Sequence, residues 1–219
     1  MGPRVLVLLL VVAACGDDRG RRSDARLVDA AARGDLGSVT RLLAGGADIE
    51  SRDAEGRTAV TAAVYGNHLE VVRALVDAGA DVDIQDSSRA NALLATGETG
   101  NVEILRAILR AGPDLTRTNR FGGTALIPAA DRGHVDVVRE LVRTEIDLDH
   151  VNDLGWTALL EAVILGDGGP AHQEIVRILV AAGADVDIAD GDGVTPLQHA
   201  LRNGYDEIAR TLSRVDAPE

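Results

Sequence analysis

An aspartate recurs along this chain at a nearly fixed interval, and this period constrains the fold more than any other feature of the sequence. Four aspartates stand 33 residues apart and a fifth follows after 38, at Asp48, Asp81, Asp114, Asp147 and Asp185. Self-similarity at a period of about 20 to 50 residues is typical of stacked repeats, each of which buries its apolar face only against its neighbours. The period therefore predicts a solenoid, and a solenoid favours binding as the function.

Residues 53–85 show what one repeat contains. Thr58 predicts the N-cap of a first helix over about 59–65, because its hydroxyl can accept a hydrogen bond from a free amide in the first turn. An apolar stripe that starts at Leu69 predicts a second helix over about 68–78. Neither helix exceeds about three turns, so neither would be stable alone in water. The predicted unit is helix, turn, helix and β-turn finger.

The repeated segments resemble the ankyrin repeat. Gly-Ala-Asp-Val-Asp occurs at 79–83 and 183–187, and Asp-Gly-Val-Thr-Pro-Leu occurs at 192–197, as in the consensus of that family. The resemblance implies an all-α ankyrin-repeat solenoid of about six helix-turn-helix repeats joined by β-turn fingers, in a domain over 24–219. The expected repeats lie near 20–52, 53–85, 86–118, 119–151, 152–189 and 190–219.

Departures from the family pattern in the third and fifth repeats bear on stability and on the length of the connections. In the third repeat, Arg89 stands where the turn glycine belongs, and Gly97 lies inside the first helix, where glycine costs about 1 kcal/mol relative to alanine. We therefore expect the third repeat to be the weakest joint of the array. The fifth repeat carries five extra residues, 167–171, which are predicted to form a tolerated loop between its two helices.

The N-terminus has the layout of a secretory signal peptide. A basic start at Met1–Arg4 is followed by an apolar run at Val5–Val12 and by two small residues before Cys15. The apolar run is too short to span a hydrocarbon core of about 30 Å. Val-Ala-Ala-Cys at 12–15 resembles the lipobox of bacterial lipoproteins, whose cysteine is lipidated and becomes the new N-terminus. An ordinary signal peptide that happens to contain a cysteine is the alternative.

These residues predict where the protein is located. We expect a signal peptide at 1–14 and a tether at 15–23, lipidated at Cys15. The protein would then be extracytoplasmic and anchored by lipid to a bacterial membrane, on the periplasmic side or at the outer membrane. Its contact with the membrane would be through the lipid anchor only.

Charge and residue usage argue against several functions. The net charge is −13 and all 22 basic residues are arginine, so the clustered positive charge that nucleic-acid binding needs is missing, and so is a catalytic lysine. Cys15 is the only cysteine, which excludes an intramolecular disulfide and a four-cysteine zinc site. The acidic stretch at 185–192 lacks the EF-hand spacing. With no nucleophile elbow, HExxH or phosphate loop, we expect no enzyme, no cofactor and no metal ion.

Large and basic side chains on one expected face indicate where a partner binds. By resemblance to ankyrin arrays, which bind through finger tips and first helices, the predicted contact residues are Arg57, Tyr65, Arg120, Phe121, Arg132, Trp156, Ile164 and Leu165. Trp, Tyr and Arg dominate binding energy at interfaces, and three of the four aromatic residues of the chain belong to this set. Packing of Phe121 and Trp156 on neighbouring fingers is the alternative.

The expected function is that of a lipid-anchored binding protein of the bacterial cell envelope. The partner would be another protein with a basic or apolar patch, because the acidic surround repels anionic surfaces. Inhibition or protection of that partner fits the pattern. The alternative is a scaffold that tethers an envelope complex without regulating it. We expect the protein to act as a monomer.

Overall fold

The computed structural model of the protein describes residues 26–213, and the regular secondary structure of this part of the chain is α-helical, with turns and short irregular segments between the helices. Its single β feature is an isolated antiparallel bridge between Arg52 and Thr58. None of the helices between 26 and 213 combines the length and the apolar character needed to span a membrane. The predicted signal peptide, the lipidated Cys15 and the tether at 15–23 lie outside the described residues.

The helices of residues 26–213 form six helix-turn-helix pairs, one for each predicted repeat. The first helices of the pairs are α1, described over 26–32, and α3 Ala59–Tyr65, α5 Ala92–Thr99, α7 Leu126–Asp131, α9 Ala158–Ile164 and α11 Pro196–Asn203. The second helices are α2 Leu36–Ala44, α4 Leu69–Asp77, α6 Val102–Arg110, α8 Val135–Leu141, α10 Pro170–Ala182 and α12 Asp206–Ser213. The segments that join one pair to the next are the fingers.

Like helices of neighbouring repeats pack against each other in two rows. First helices contact one another in sequence from α3 to α11, and second helices do so from α2 to α12. The core lies between the rows, where the largest side chains are fully buried, among them Leu75, Ile108, Leu141, Leu159 and Ile175. Short helices that are unstable alone are therefore stabilised by their neighbours, and the predicted all-α solenoid is confirmed.

The unit at 53–85 matches the predicted helix boundaries within one residue. One detail was wrong, because the side chain of Thr58 makes no cap hydrogen bond to the first turn of α3. Its hydroxyl oxygen lies 3.3 Å from that of Thr61 instead. In the fifth repeat, by contrast, the hydroxyl of Thr157 does accept from the amide of Leu160, at 3.2 Å. The capping threonine is thus used in some repeats and not in others.

The periodic aspartates are explained by the fingers. Each one accepts a hydrogen bond from the backbone amide two residues later at 2.9–3.0 Å, which holds the chain in an Asx-type turn: Asp48, Asp81, Asp114, Asp147 and Asp185. Three acids next to these turns reach into the following repeat, where they accept from a backbone amide at 2.8–3.1 Å: Glu50, Asp83 and Asp149. Neighbouring repeats are therefore joined through their fingers as well as through their helices.

One ring per repeat links most neighbouring pairs behind the turn between the helices. The ring or hydroxyl donates to a backbone carbonyl of the previous repeat at 2.9–3.2 Å in four cases: His68 to Ala32, His134 to Glu98, His172 to Asp131 and Tyr205 to Gly166. These rings therefore link neighbouring repeats, and the other three aromatic residues, Tyr65, Phe121 and Trp156, make no such hydrogen bond to a preceding repeat within the described residues.

The insertion in the fifth repeat does not form a simple loop. Helix α10 spans 13 residues from Pro170, whereas α4 and α6 span nine each. Proline is favoured in the first turn of a helix, because the amide it lacks would have no partner there. The extra residues 167–171 are therefore divided between a short turn and an additional turn of helix, and the prediction of a loop was wrong.

The third repeat carries strain at one of its two unusual positions. Arg89 has a φ of 62°, a left-handed conformation that is unfavourable for a residue with a side chain. Gly97, in contrast, allows close packing, since a Cβ at this position would lie 2.3 Å from the carbonyl oxygen of Ala125 in the next repeat. The prediction of a weak joint therefore depends on Arg89 and not on Gly97.

Candidate functional site

A groove runs along the face formed by the first helices and the fingers. It consists of three clefts. The first lies at Arg57 and Tyr65, the second extends from Tyr65 to Phe121 and Arg132, and the third extends from Phe121 to Leu165. The first and second clefts share Tyr65 as a lining residue, and the second and third share Phe121 and Arg132. The three therefore form one continuous surface from the second repeat to the fifth.

The groove brings together most of the predicted contact residues. Six of the eight line it: Arg57, Tyr65, Arg120, Phe121, Arg132 and Leu165. The other two, Trp156 and Ile164, are partly buried and line none of the three clefts. Their contact with a partner stays a prediction, and so does the alternative that Trp156 packs on neighbouring fingers.

The finger tips that border the groove are held by a repeated turn. One aspartate or asparagine just before the tip of each finger accepts from the amides two and four residues later, at 2.8–3.0 Å, in five fingers: Asp53, Asp86, Asn119, Asn152 and Asp190. Adjacent tips are also linked, because the amide of Asp153 donates to the carbonyl of Phe121 at 3.0 Å. The tips therefore present their side chains from a fixed backbone.

Phe121 is the most prominent side chain of the groove. It is 52 % exposed at a finger tip, and the guanidinium carbon of Arg120 lies 4.7 Å from the centre of its ring. A cation at this distance is attracted to the face of the ring. An exposed ring on a rigid turn costs little conformational entropy to bind, so this pair can anchor a partner.

Tyr65 connects the first and second clefts. Burial raises the pKa of its phenol to about 12, and the negative charges of Glu98 and Asp86 raise it further. The phenol is therefore protonated at neutral pH and can donate a hydrogen bond to a partner. In the same cleft the guanidinium of Arg57 is held by Asp53, with Nε 2.7 Å from Oδ2.

The third cleft is the most enclosed apolar part of the groove. It has a volume of about 250 Å³ and lies between the fourth and fifth repeats. Six large apolar side chains are exposed among residues 26–213, and three of them, Phe121, Leu154 and Leu165, line this cleft. Apolar side chains that are exposed together mark interaction sites more often than scattered ones do.

Glu161 lies inside the third cleft and is missing from the predicted set. Its residue is only 7 % exposed, and the side-chain amide of Asn152 donates to its Oε1 at 2.7 Å. Burial raises the pKa of its carboxyl to about 7, the charge of Asp131 adds to this rise, and the hydrogen bond from Asn152 opposes it. The sequence holds a signal for Glu161, because the equivalent position is small or cyclic in the three preceding repeats: Ala62, Ala95 and Pro128.

No group of three or more metal-ligating side chains is arranged to hold an ion between residues 26 and 213. The third cleft is smaller than the roughly 300–1,000 Å³ of typical small-molecule sites. In the acidic stretch, the oxygens of Asp190 accept from the amides of Asp192 and Val194 and from His199, at 2.7–3.0 Å. Hydrogen bonds from Val194 and His199 hold the pKa of Asp190 below its usual value.

Stacked helix pairs, hydrogen-bonded fingers and a long groove define a repeat protein that recognises macromolecules by surface complementarity. Comparison with known families gives this class a name. The model of ankyrin repeats in three copies matches residues 27–119 and 93–190, and a second ankyrin model matches 170–212. The chain belongs to the ankyrin-repeat family, whose members mediate protein–protein interaction and are not typically enzymes.

Known proteins share this fold over most of the chain. An ankyrin repeat domain from Acinetobacter baumannii AYE is 46 % identical with a TM-score of 0.84, over 89 % of this chain and 100 % of that one. The ankyrin repeat protein EF0377 is 40 % identical with a TM-score of 0.82, over 86 % and 96 %. The ankyrin repeat protein YahD of Escherichia coli (strain K12) is 44 % identical over 57 residues, so the match spans 28 % of that relative and 26 % of this chain.

Proposed function

We propose that this protein is a lipid-anchored ankyrin-repeat protein of a bacterial cell envelope that binds another protein along its groove. The observation that carries the proposal is the groove itself, in which exposed rings, arginines and apolar side chains converge on a rigid backbone. The anchor and the location are supported by the order of residues up to Cys15.

The groove is suited to a protein partner. Its arginines and rings are the side chains that contribute most to binding at protein interfaces. It extends over four repeats, from Arg57 to Leu165, which is the scale of an interface rather than of a single small ligand. With a net charge of −13, the protein favours a partner with a basic or apolar patch and repels acidic ones.

The same groove has little to offer to catalysis. Its lining contains no histidine and no cysteine, and its serines, Ser87 and Ser88, lie on a finger without a neighbouring base. Ser87 donates its hydroxyl hydrogen to the carbonyl of Glu55, and Ser88 donates its own to Asp86. These hydroxyls are part of the turns.

Crosslinking from membranes tests the binding function. The full chain and its Phe121→Ala variant are expressed in a bacterial host, crosslinked, purified and analysed by mass spectrometry. We expect the variant to capture much less of the partner found with the wild type, whereas Arg143→Ala, on the opposite face, captures it normally. Equal capture by all three proteins would contradict the proposed surface.

Labelling with a fatty acid tests the anchor. We expect label on the wild type and none on Cys15→Ser, because the thiol is the atom that receives the lipid. A wild-type protein that is unlabelled, or fully soluble without detergent, would remove the anchor from the proposal and leave the groove unaffected.

Regulation and tethering have different consequences for the partner. If the protein inhibits or protects its partner, Phe121→Ala changes the activity of that partner. If the protein is a scaffold, the same variant changes only where the partner is found in the envelope.

A further inference from the structure

The third cleft combines apolar walls with carboxyl groups that lack partners. Glu98, Asp131 and Glu161 line it together with Phe121 and Leu165. The carboxyl groups of Glu98 and Asp131 take part in no hydrogen bond or ion pair with any other side chain of residues 26–213. Carboxylates without partners next to exposed apolar side chains have no evident role in holding the array together.

The nearby arginines do not neutralise these groups. Arg132 lines the cleft, but its guanidinium donates to the backbone carbonyl of Glu98 at 3.3 Å. Arg120 lies over the ring of Phe121. The lining of the cleft therefore contains three acids and one arginine, and part of its negative charge is left for a ligand.

We propose that the third cleft receives one arginine or lysine side chain of the partner protein, with its aliphatic stem against Phe121 and Leu165 and its charged end at Asp131 and Glu161. This inference rests on the proposed function and names the chemistry that the groove selects. Arginine and lysine combine an apolar stem with a cationic end, which matches the walls and the carboxyl groups of the cleft. A volume of about 250 Å³ suits one such side chain.

A bound cation would also change the protonation of the cleft. Glu161 has a pKa of about 7, so at neutral pH about half of the free protein carries a proton there. Glu98 faces the cleft from α5, and Asp131 and Arg132 face it from the end of α7. On α11, the other first helix packed against α9, His199 is already paired with Asp190 at 2.7 Å, and on α10 Arg177 is paired with Glu174. A cation favours the charged carboxylate, so binding releases a proton and tightens as the pH rises through 7.

Two matched peptides test the inference on the full chain. Acetyl-Leu-Arg-Leu-amide and its neutral isostere, acetyl-Leu-citrulline-Leu-amide, are titrated into ¹⁵N-labelled protein and followed by NMR at pH 6 and pH 8. We expect the arginine peptide to shift the amides of residues in the third cleft and the citrulline peptide to bind at least about tenfold more weakly. Affinity for the arginine peptide should be higher at pH 8 than at pH 6.

Two variants assign the effect to the cleft. Glu161→Gln keeps an oxygen that can accept from Asn152, so it should fold; it should weaken the arginine peptide and remove most of the pH dependence. Asp131→Asn is a second variant, nearer the surface, and it should also weaken binding of the arginine peptide. Arg143→Ala, on the outer face, is the control and should bind the peptide normally. Equal affinities for the two peptides, shifts outside the cleft, or no binding at about 10 mM peptide would overturn the inference.

The test separates this inference from the proposed function. If the peptides fail but Phe121→Ala still abolishes capture of the partner, the groove binds a protein without a basic side chain in the third cleft. If Phe121→Ala captures the partner normally, the proposed function itself is wrong, whatever the peptides do.

Discussion

The two faces of the array use the same kinds of charged residue in opposite ways. On the outer face, each second helix from α4 to α12 carries an arginine paired with an acid three residues earlier: Arg73–Glu70, Arg106–Glu103, Arg139–Asp136, Arg177–Glu174 and Arg210–Glu207. Two of these arginines also reach the next repeat, where Arg106 pairs with Glu140 and Arg139 with Glu174, each at 3.2 Å. These five arginines therefore have their partners within the outer face.

The third cleft of the groove leaves two carboxylates and several apolar side chains available. The carboxyl groups of Glu98 and Asp131 are unpaired within the described chain, and Phe121 and Leu165 are about half exposed. Exposed ion pairs such as those of the outer face each contribute about 1 kcal/mol or less and offer little to a partner. What marks the binding face is therefore the combination of carboxylates without partners and exposed apolar side chains in one cleft.

The largest expected effect is on binding at the exposed ring of the groove. Phe121→Ala should weaken binding of the partner by at least about 2 kcal/mol, roughly thirtyfold, because the ring is an anchor on a rigid turn. Arg143→Ala and Arg177→Ala, on the outer face, should change binding by less than about 0.5 kcal/mol. Calorimetry measures the affinity of each variant for the partner. If the outer-face variants lose as much affinity as Phe121→Ala, the groove is not the preferred binding face.

Trp156 lies outside the groove, and a substitution there tests whether its ring stabilises the fold or contacts the partner. Because it is partly buried, Trp156→Ala should lower the free energy of unfolding by about 1 to 2 kcal/mol and weaken binding less than Phe121→Ala does. Urea unfolding and calorimetry of the same variant measure both quantities. A variant with unchanged stability and a thirtyfold loss of affinity would instead make Trp156 a direct contact.

Glu161 gives the groove a stability that depends on pH. Its pKa is raised from 4.5 to about 7 in the folded protein, so folding favours the protonated form. Stability from this residue is present below pH 4.5 and is lost as the pH rises to about 7, above which the loss is constant. Glu161→Gln should therefore raise the free energy of unfolding by up to about 3 kcal/mol at pH 8 and by almost nothing at pH 4. Urea unfolding at both pH values measures it, and an equal effect at both would contradict the assigned pKa.

The smallest expected effect concerns the joint between the N-terminal and C-terminal parts of the groove. Arg89→Gly should raise the free energy of unfolding by about 0.5 to 1 kcal/mol, because glycine adopts a φ of 62° without strain but is more flexible when unfolded. Amide hydrogen exchange should be faster at 86–100 than in the second and fourth repeats, and slower in the variant. Uniform protection across the three repeats would show that the joint is not weak.

Most of the fold could be predicted because it depends on local, repeated signals. The aspartates that mark the period hold turns by hydrogen bonds to the amide two residues later. Helix α3 ends at Gly66, a residue type that turns accommodate readily. Predictions failed where a distant contact decided the outcome. A glycine inside a helix predicts a local weakness at Gly97. In the structure, however, its lack of a side chain allows close packing against the carbonyl oxygen of Ala125, 28 positions later in the chain. Extra residues between two helices predict a longer loop, whereas residues 167–171 partly form an added turn of α10.

The sequence by itself determined the repeat, the family and the face on which six of the predicted contact residues lie, because these follow from periodic positions on short helices and turns. Only the tertiary structure decided which of those residues form one surface. It left Trp156 outside the groove and brought Asp131 and Glu161 into the same cleft, although they are 30 residues apart and belong to different repeats. Burial and the unbalanced charge of that cleft arise from the stacking of three neighbouring repeats, and no single repeat contains them.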